Sequence, residues 1–260
     1  MAGATHRTAG SATVPRVLSI DGVSDLWDQL LGAQPDPPGM LVLLTAVAGF
    51  LAVAFRPVWR VARNAVTIAH EGGHALFALL TGRRLRGIRL EFDTSGLTLS
   101  AGRPTGLGMI LTLLGGYIAP SLVGLGGAWL LGGNRITLLL WLAVALLLLM
   151  LINIRNLFGV ISLLVTGAIV FAVSWYASPE VQSAFAYAGV WFLLIGGVRP
   201  VFELQSLRSR GRMRDSDADQ LARITHVPAL FWVGVFLVVN LIALVTGAFL
   251  LAGQWLPATV

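Results

Sequence analysis

The residues best equipped for chemistry are His70, Glu71 and His74, in the run His70-Glu71-Gly72-Gly73-His74. An HExxH pattern on a helix sets two imidazoles four residues apart on one face, with a carboxylate beside the first. Two such imidazoles suit a single zinc ion, and the carboxylate suits a general base acting on water. At about 100° per residue, Arg63, Thr67, His70, Glu71 and His74 share roughly one third of the helix circumference. Val66, Ile68, Ala69, Leu76, Leu79 and Leu80 fill the remainder. A polar stripe among lipids is costly unless it meets protein, water or metal. Two structural histidines bonding to carbonyls would also satisfy it, but they leave the neighbouring Glu71 without a role. Gly72 and Gly73 each weaken a helix by about 1 kcal/mol, and they are expected to admit another backbone against the metal face.

The elements that must hold this stripe belong to a bilayer. Of 260 residues, 56% are hydrophobic and 12% charged, with a mean hydropathy of +0.81. Soluble domains carry about 25% charged residues, so composition alone gives a polytopic membrane protein. Cysteine is absent, which excludes disulfides and thiolate-held metals and leaves His, Asp, Glu and Asn as donors. The net charge of +6 comes from arginine, since there is no lysine. These arginines lie in short loops between apolar runs, without interleaved aromatics, so nucleic acid is not an expected partner.

A hydrocarbon core about 30 Å thick takes roughly 17–25 apolar residues per helix. Runs at 40–56, 60–81, 105–131, 136–153, 157–177, 185–200 and 229–252 are candidates. They predict an all-α polytopic membrane protein with six or seven transmembrane helices, forming one domain over 40–260. Residues 1–39 read as a polar tail ending in Gln34-Pro35-Asp36-Pro37-Pro38-Gly39. Disorder is expected over 1–13 and a short amphipathic surface helix over Val14 to Leu31. No apolar stretch followed by a small-residue cleavage site stands there, so a cleaved leader is not expected. No internal repeat is visible, which weakens a transporter reading.

Arginine placement orients the chain. Arg83, Arg84, Arg86, Arg89, Arg103 and Arg155, with the six arginines from Arg199 to Arg223, fall on one side of a seven-span arrangement. That side is taken as cytoplasmic, with the amino terminus inside and the carboxyl terminus outside. Arg56, Arg60 and Arg63 then stand on the outer face, against the rule.

Between 83 and 103 the period changes to two. Ile88, Leu90 and Phe92 alternate with Arg89 and Glu91, a turn follows at Asp93-Thr94-Ser95-Gly96, and Leu97 and Leu99 resume the pattern. This reads either as a β-hairpin directly after the metal helix or as a solvated basic loop. A hairpin would offer a free edge to an unwound substrate strand.

Several stretches together resemble the site-2 protease family of intramembrane zinc metalloproteases, in its compact branch without a PDZ domain. They are HEGGH at 70–74, the basic stretch Gly82 to Arg103, and Leu114-Gly115-Gly116-Tyr117-Ile118-Ala119-Pro120. Arg155-Asn156-Leu157-Phe158-Gly159 and Asp215-Ser216-Asp217-Ala218-Asp219-Gln220-Leu221 complete the set. The resemblance implies His70 and His74 as ligands to one zinc ion and Glu71 as the base. Most members take a third ligand from Leu-Asp-Gly, preceded by Asn-x-x-Pro, and neither occurs here in that form. Asn156 stands where the Asn element would fall and is implied as a substrate-binding residue. Asp217, within Ser-Asp-Ala, is the implied third ligand.

Asp215, Asp219 and His226 stay open as alternatives, and a helix cap by Ser216 or Asp217 explains the same letters without metal. The resemblance further implies a transmembrane protein substrate and regulated intramembrane proteolysis in a bacterial plasma membrane. A catalytically inactive scaffold keeping the fold is the alternative; a metal or solute permease is less favoured, because other spans carry few polar groups. Glu203 and Gln205 read as loop residues, and Asn153 as a bond across helices. Gly116, Pro120 and Gly124 read as close helix packing.

Overall fold

The computed structural model describes residues 31–212 and 215–253. The expected surface helix and the tail before it lie outside these residues, apart from Leu31. Described are helices α1 (Gly39–Ala54) and α2 (Arg56–Leu80), strands β1 (Arg84–Leu90) and β2 (Gly96–Ala101), then α3 (Leu107–Gly132) and α4 (Ile136–Leu151). Helices α5 (Leu157–Tyr176), α6 (Pro179–Ser209), α7 (Asp217–Thr225) and α8 (Ala229–Ala252) follow. Four of them, α3, α5, α6 and α8, are long and apolar enough to cross a membrane, and α1 with α2 makes a fifth candidate bent by 101°. The chain is thus a mostly helical, multi-pass integral membrane protein with a small antiparallel sheet. α4, with 16 residues, is apolar but shorter.

The bend between α1 and α2 has a local cause. Phe55 is extended, and Pro57 lacks the N–H that would bond to the carbonyl of Val53. That carbonyl accepts from the Arg199 guanidinium on α6 instead. The chain turns sharply here.

α3 is the hub of the bundle and runs antiparallel to α6. Ser121 faces Leu194, and Gly127 faces Val190. One core cluster joins the starts of α1, α4 and α6 to the ends of α3 and α8, through Val42, Ile136, Tyr187, Leu131 and Leu251. A second joins the opposite ends, through Leu113, Val201, Leu204, Leu221 and Phe236. Gly124, expected to permit close packing, lies against Leu194.

The outer placement of Arg63 is corrected by its neighbours. Glu203 on α6 lies 3.7 Å from Arg63 and 2.8 Å from Arg199, so the two arginines share one face. Trp59 donates to the same carboxylate at 3.0 Å, and both guanidinium groups lie over its ring. Glu203 and Gln205, read as loop residues, sit inside α6, which runs well past Pro200 to Ser209. A charged hub within a helix end gave no periodic signal.

Of the two readings left open for 83–103, the hairpin is the one that forms. β1 and β2 pair antiparallel with Ile88 opposite Thr98, and the register slips by one residue between Leu85 and Gly87. Gly87, at φ +153°, lies against the Arg155 side chain, leaving no room for a Cβ. The outer edge of β1 is occupied: Ile88 N–H donates to Asn153 at 2.8 Å, and Arg155 N–H donates to Ile88 at 2.9 Å. Only β2 keeps an unpaired edge among the described residues.

Candidate metal centre

α2 carries the centre on its polar face, and α3 lies directly behind it. Gly73 stacks on Gly115, where a Cβ would strike the Gly115 carbonyl and Ala119. That is the close approach the glycine pair predicted, at Gly73; Gly72 has only the Met150 sulfur near it, at an ordinary 3.8 Å. Gly116 lies under the imidazole nitrogens of His70 and His74.

His74 is 9% exposed, and its Nδ1 lies 2.7 Å from the Thr112 carbonyl. A carbonyl only accepts, so Nδ1 carries a proton, and Nε2 is the nitrogen that could offer a lone pair to a metal. That nitrogen lies 3.1 Å from Nε2 of His70. Oδ2 of Asp217 lies 3.4 Å from the first and 3.5 Å from the second. Donors around a tetrahedral zinc, at bond lengths of about 2.0–2.1 Å, stand about 3.3–3.4 Å apart. The three atoms therefore trace one face of such a tetrahedron, and this donor set fits the ion.

Glu71 is 3% exposed, and one of its carboxylate oxygens lies within 4.8 Å of a ring nitrogen of His70 and of His74. Its Oε2 accepts from the Thr98 hydroxyl on β2 at 2.6 Å. Asp217 forms the tighter triangle with the two histidines, and Glu71 forms a second, wider cluster with the same pair.

The three acidic residues of the 215–219 run have separate roles. Ser216 caps α7 by accepting from the Asp219 N–H, and Asp219 returns a bond to the Ser216 backbone, completing a capping box. Asp219 also accepts from Arg208 at 2.8 Å. Asp215 pairs with Arg223 at the surface. With the cap supplied by Ser216, Asp217 in the first turn is free to face the histidines. Burial opposes its ionisation, yet the imidazoles of His74 and His70 prevail and hold its carboxyl well below the usual range. Burial likewise opposes ionisation of Asp219, and the bonds from Ser216 and Arg208 prevail, holding its carboxyl below the usual range. His226 is exposed at the left-handed C-cap of α7, away from the donors.

Asn156 holds the protein's own strand. Its amide nitrogen donates to the Leu90 carbonyl at 2.6 Å, and its oxygen accepts from the Leu90 N–H at 3.2 Å. Both atoms expected to meet substrate are engaged by β1. Asn153, expected to bond across helices, stands just past the end of α4 and donates to the Leu149 carbonyl in its last turn.

Sequence reasoning missed Thr98, Thr112 and Tyr117. Thr98 and Thr112 act through single hydroxyl or carbonyl atoms and carry no spacing signal. Tyr117 sets its ring edge-on to His70 with centroids 4.7 Å apart and stacks on Phe236. Asn240, the lone polar residue midway along α8, was findable: it donates to the Tyr117 carbonyl at 3.1 Å and steadies that turn of α3.

No curated protein and no solved structure matches the chain. A family model described as Peptidase M50B-like matches residues 43–247, which include every residue of the centre. The resemblance read from HEGGH and its companion stretches thus agrees with this match, and the chain belongs to the M50B-like peptidase family.

Proposed function

We propose that the chain is an intramembrane zinc metalloprotease that hydrolyses a peptide bond of a transmembrane protein. The observation that carries this is the triangle of His70, His74 and Asp217 with the Glu71 carboxylate beside it. His70, His74 and Asp217 would hold the ion. Bound there, zinc supplies Lewis-acid polarisation of the scissile carbonyl and makes water easier to deprotonate. Glu71 takes a proton from the attacking water as its oxygen bonds to the carbonyl carbon. It then delivers that proton to the amide nitrogen as the carbon–nitrogen bond breaks. Thr112, through Nδ1 of His74, keeps the ligand lone pair turned toward the donor set. The unpaired edge of β2 supports docking of the substrate as an added strand, which exposes carbonyls that a helix hides.

The proposed setting is a bacterial plasma membrane, with α1, α3, α4, α5, α6 and α8 crossing it. α2 lies obliquely near the cytoplasmic face, since its start meets Arg199 and its end, at Thr81, meets Gly108 at the start of α3. Arg56, Arg60 and Arg63 then join Arg83, Arg84, Arg86, Arg89, Arg103, Arg155 and Arg199 on one side, with Arg135 on the other, which agrees with the positive-inside rule. Cleavage there releases a cytosolic fragment from a membrane-bound regulator. The inactive-scaffold alternative draws its strength from the missing Leu-Asp-Gly element, and the position of Asp217 beside both histidines supports the active reading over it.

The test uses purified protein and a single-span reporter peptide. The reporter has about 20 apolar residues, with a Gly/Ser-rich break at its cytoplasmic end. Wild type is expected to carry one zinc and cleave it, while Glu71→Gln keeps the zinc and loses cleavage by about 10²- to 10⁴-fold. Equal cleavage by the two proteins, or none by the wild type, contradicts the reading.

A further inference from the structure

We infer that Thr98 is a positioning residue, whose hydroxyl fixes the Glu71 carboxylate from strand β2 and couples the base to that strand. The inference rests on the reading of Glu71 as the base.

The terminal torsion of a glutamate is broad and weakly restrained, so packing alone leaves its carboxylate free to swing. Here one oxygen is pinned. Thr98 donates to Oε2 at 2.6 Å, and its hydroxyl also lies 3.2 Å from the Glu71 backbone carbonyl. Since a hydroxyl has one proton, donation to Oε2 leaves Oε1 with its lone pairs for the water proton. Gly96, two residues earlier on the same face, lies so close that a Cβ would strike the Glu71 carboxyl. Leu97 and Leu99 point the other way and are exposed.

Thr98 can position another group because it is itself held. One helical turn before Glu71, Thr67 donates to the Thr94 carbonyl in the hairpin turn at 2.8 Å. Opposite Thr98 stands Ile88, which is fully buried and bonded on its far side to Asn153 and Arg155. Asn156 adds its clamp on Leu90. The hydroxyl therefore hangs from a ribbon anchored at three places, and the base takes its orientation from that ribbon. A substrate strand that docks on β2 then meets a base set by the same strand, so register on β2 and alignment for proton transfer are one adjustment.

Valine matches threonine in shape and favours strands, so Thr98→Val removes the donor alone. On the reporter peptide, kcat is expected to fall roughly 10- to 100-fold, the scale for a catalytic group displaced by about 1 Å. KM should stay within about threefold, as for an interaction made in the transition state rather than in binding. Zinc stays at one per chain, and Thr98→Ser recovers kcat to within about threefold of wild type. Thr98→Ala, which also lacks the donor, repeats the measurement should the valine variant not fold. A Thr98→Val enzyme turning over within about twofold of wild type, a loss that serine does not rescue, or a loss that follows the zinc overturns the inference. In the same assay, active wild type with inert Glu71→Gln and unaffected Thr98→Val overturns this inference alone. A zinc-loaded wild type that cleaves nothing overturns it together with the reading beneath it.

Discussion

Gly116→Ala should remove the metal without altering any ligand. A Cβ at this position would stand 2.7 Å from Nε2 of His70 and closer still to Nε2 of His74, whereas ordinary contact begins at 3.4 Å. The imidazole of His70 must therefore retreat by about 0.7 Å, while a metal site tolerates donor displacements of about 0.2 Å. α3 cannot yield instead, because Gly115 is already packed on Gly73 and the Tyr117 carbonyl is tied to Asn240. Disturbing only the outer shell of a metal site costs about 10- to 100-fold in affinity, and a direct intrusion should cost at least that, about 1.4–2.8 kcal/mol. Metal content after dialysis against a graded zinc buffer gives the affinity, and circular dichroism reports the helices. Gly126→Ala on the same helix, where a Cβ meets nothing within 4 Å, is the control and should bind zinc as wild type does. Wild-type zinc affinity in Gly116→Ala would refute the placement of Gly116 beneath the donors.

Other outcomes follow from the same geometry. Asp217→Ala should lose zinc, while Asp215→Ala and His226→Ala keep it; retention by the first with loss by either of the others reverses the assignment. Arg208→Ala removes the ion pair that steadies Asp219 at the cap of α7, and zinc affinity should fall about 10-fold, read by the same dialysis. Gly96→Ala should abolish reporter cleavage with zinc retained, since its Cβ meets the Glu71 carboxyl. The chain has no cysteine, so single cysteines placed at Arg60 and Arg103 report topology directly. Both should react with an impermeant maleimide from the cytoplasmic side, and labelling from opposite sides contradicts the oblique path of α2.

Much of the centre was legible because its parts are local. His70, Glu71 and His74 are spaced by the helix that carries them, and the period of two around Asp93-Thr94-Ser95-Gly96 offered the hairpin as one of two readings. Asp217 was reachable only through resemblance, because capping explains the same letters. Ser216 and Asp219 do supply the cap, and a one-dimensional reading had no means of dividing three carboxylates among three roles. Residues 60–81 were expected to span alone, whereas α2 is long enough but too polar to qualify by itself and passes only together with α1, across the bend. The bend at Phe55 depends on Pro57 leaving the Val53 carbonyl to Arg199, a partner 146 residues away. Asn156 was misjudged because an amide that clamps a strand and one that would hold a substrate strand look alike in sequence.

The account stands or falls on what His70, His74 and Asp217 hold together. X-ray absorption at the zinc edge of the purified protein tests this most directly, with Asp217→Ala beside the wild type. The predicted wild-type spectrum is four-coordinate, with two imidazole nitrogens and light-atom oxygen donors, and the variant loses metal or one oxygen. A wild type without zinc, or a spectrum unchanged by removal of Asp217, would contradict the account.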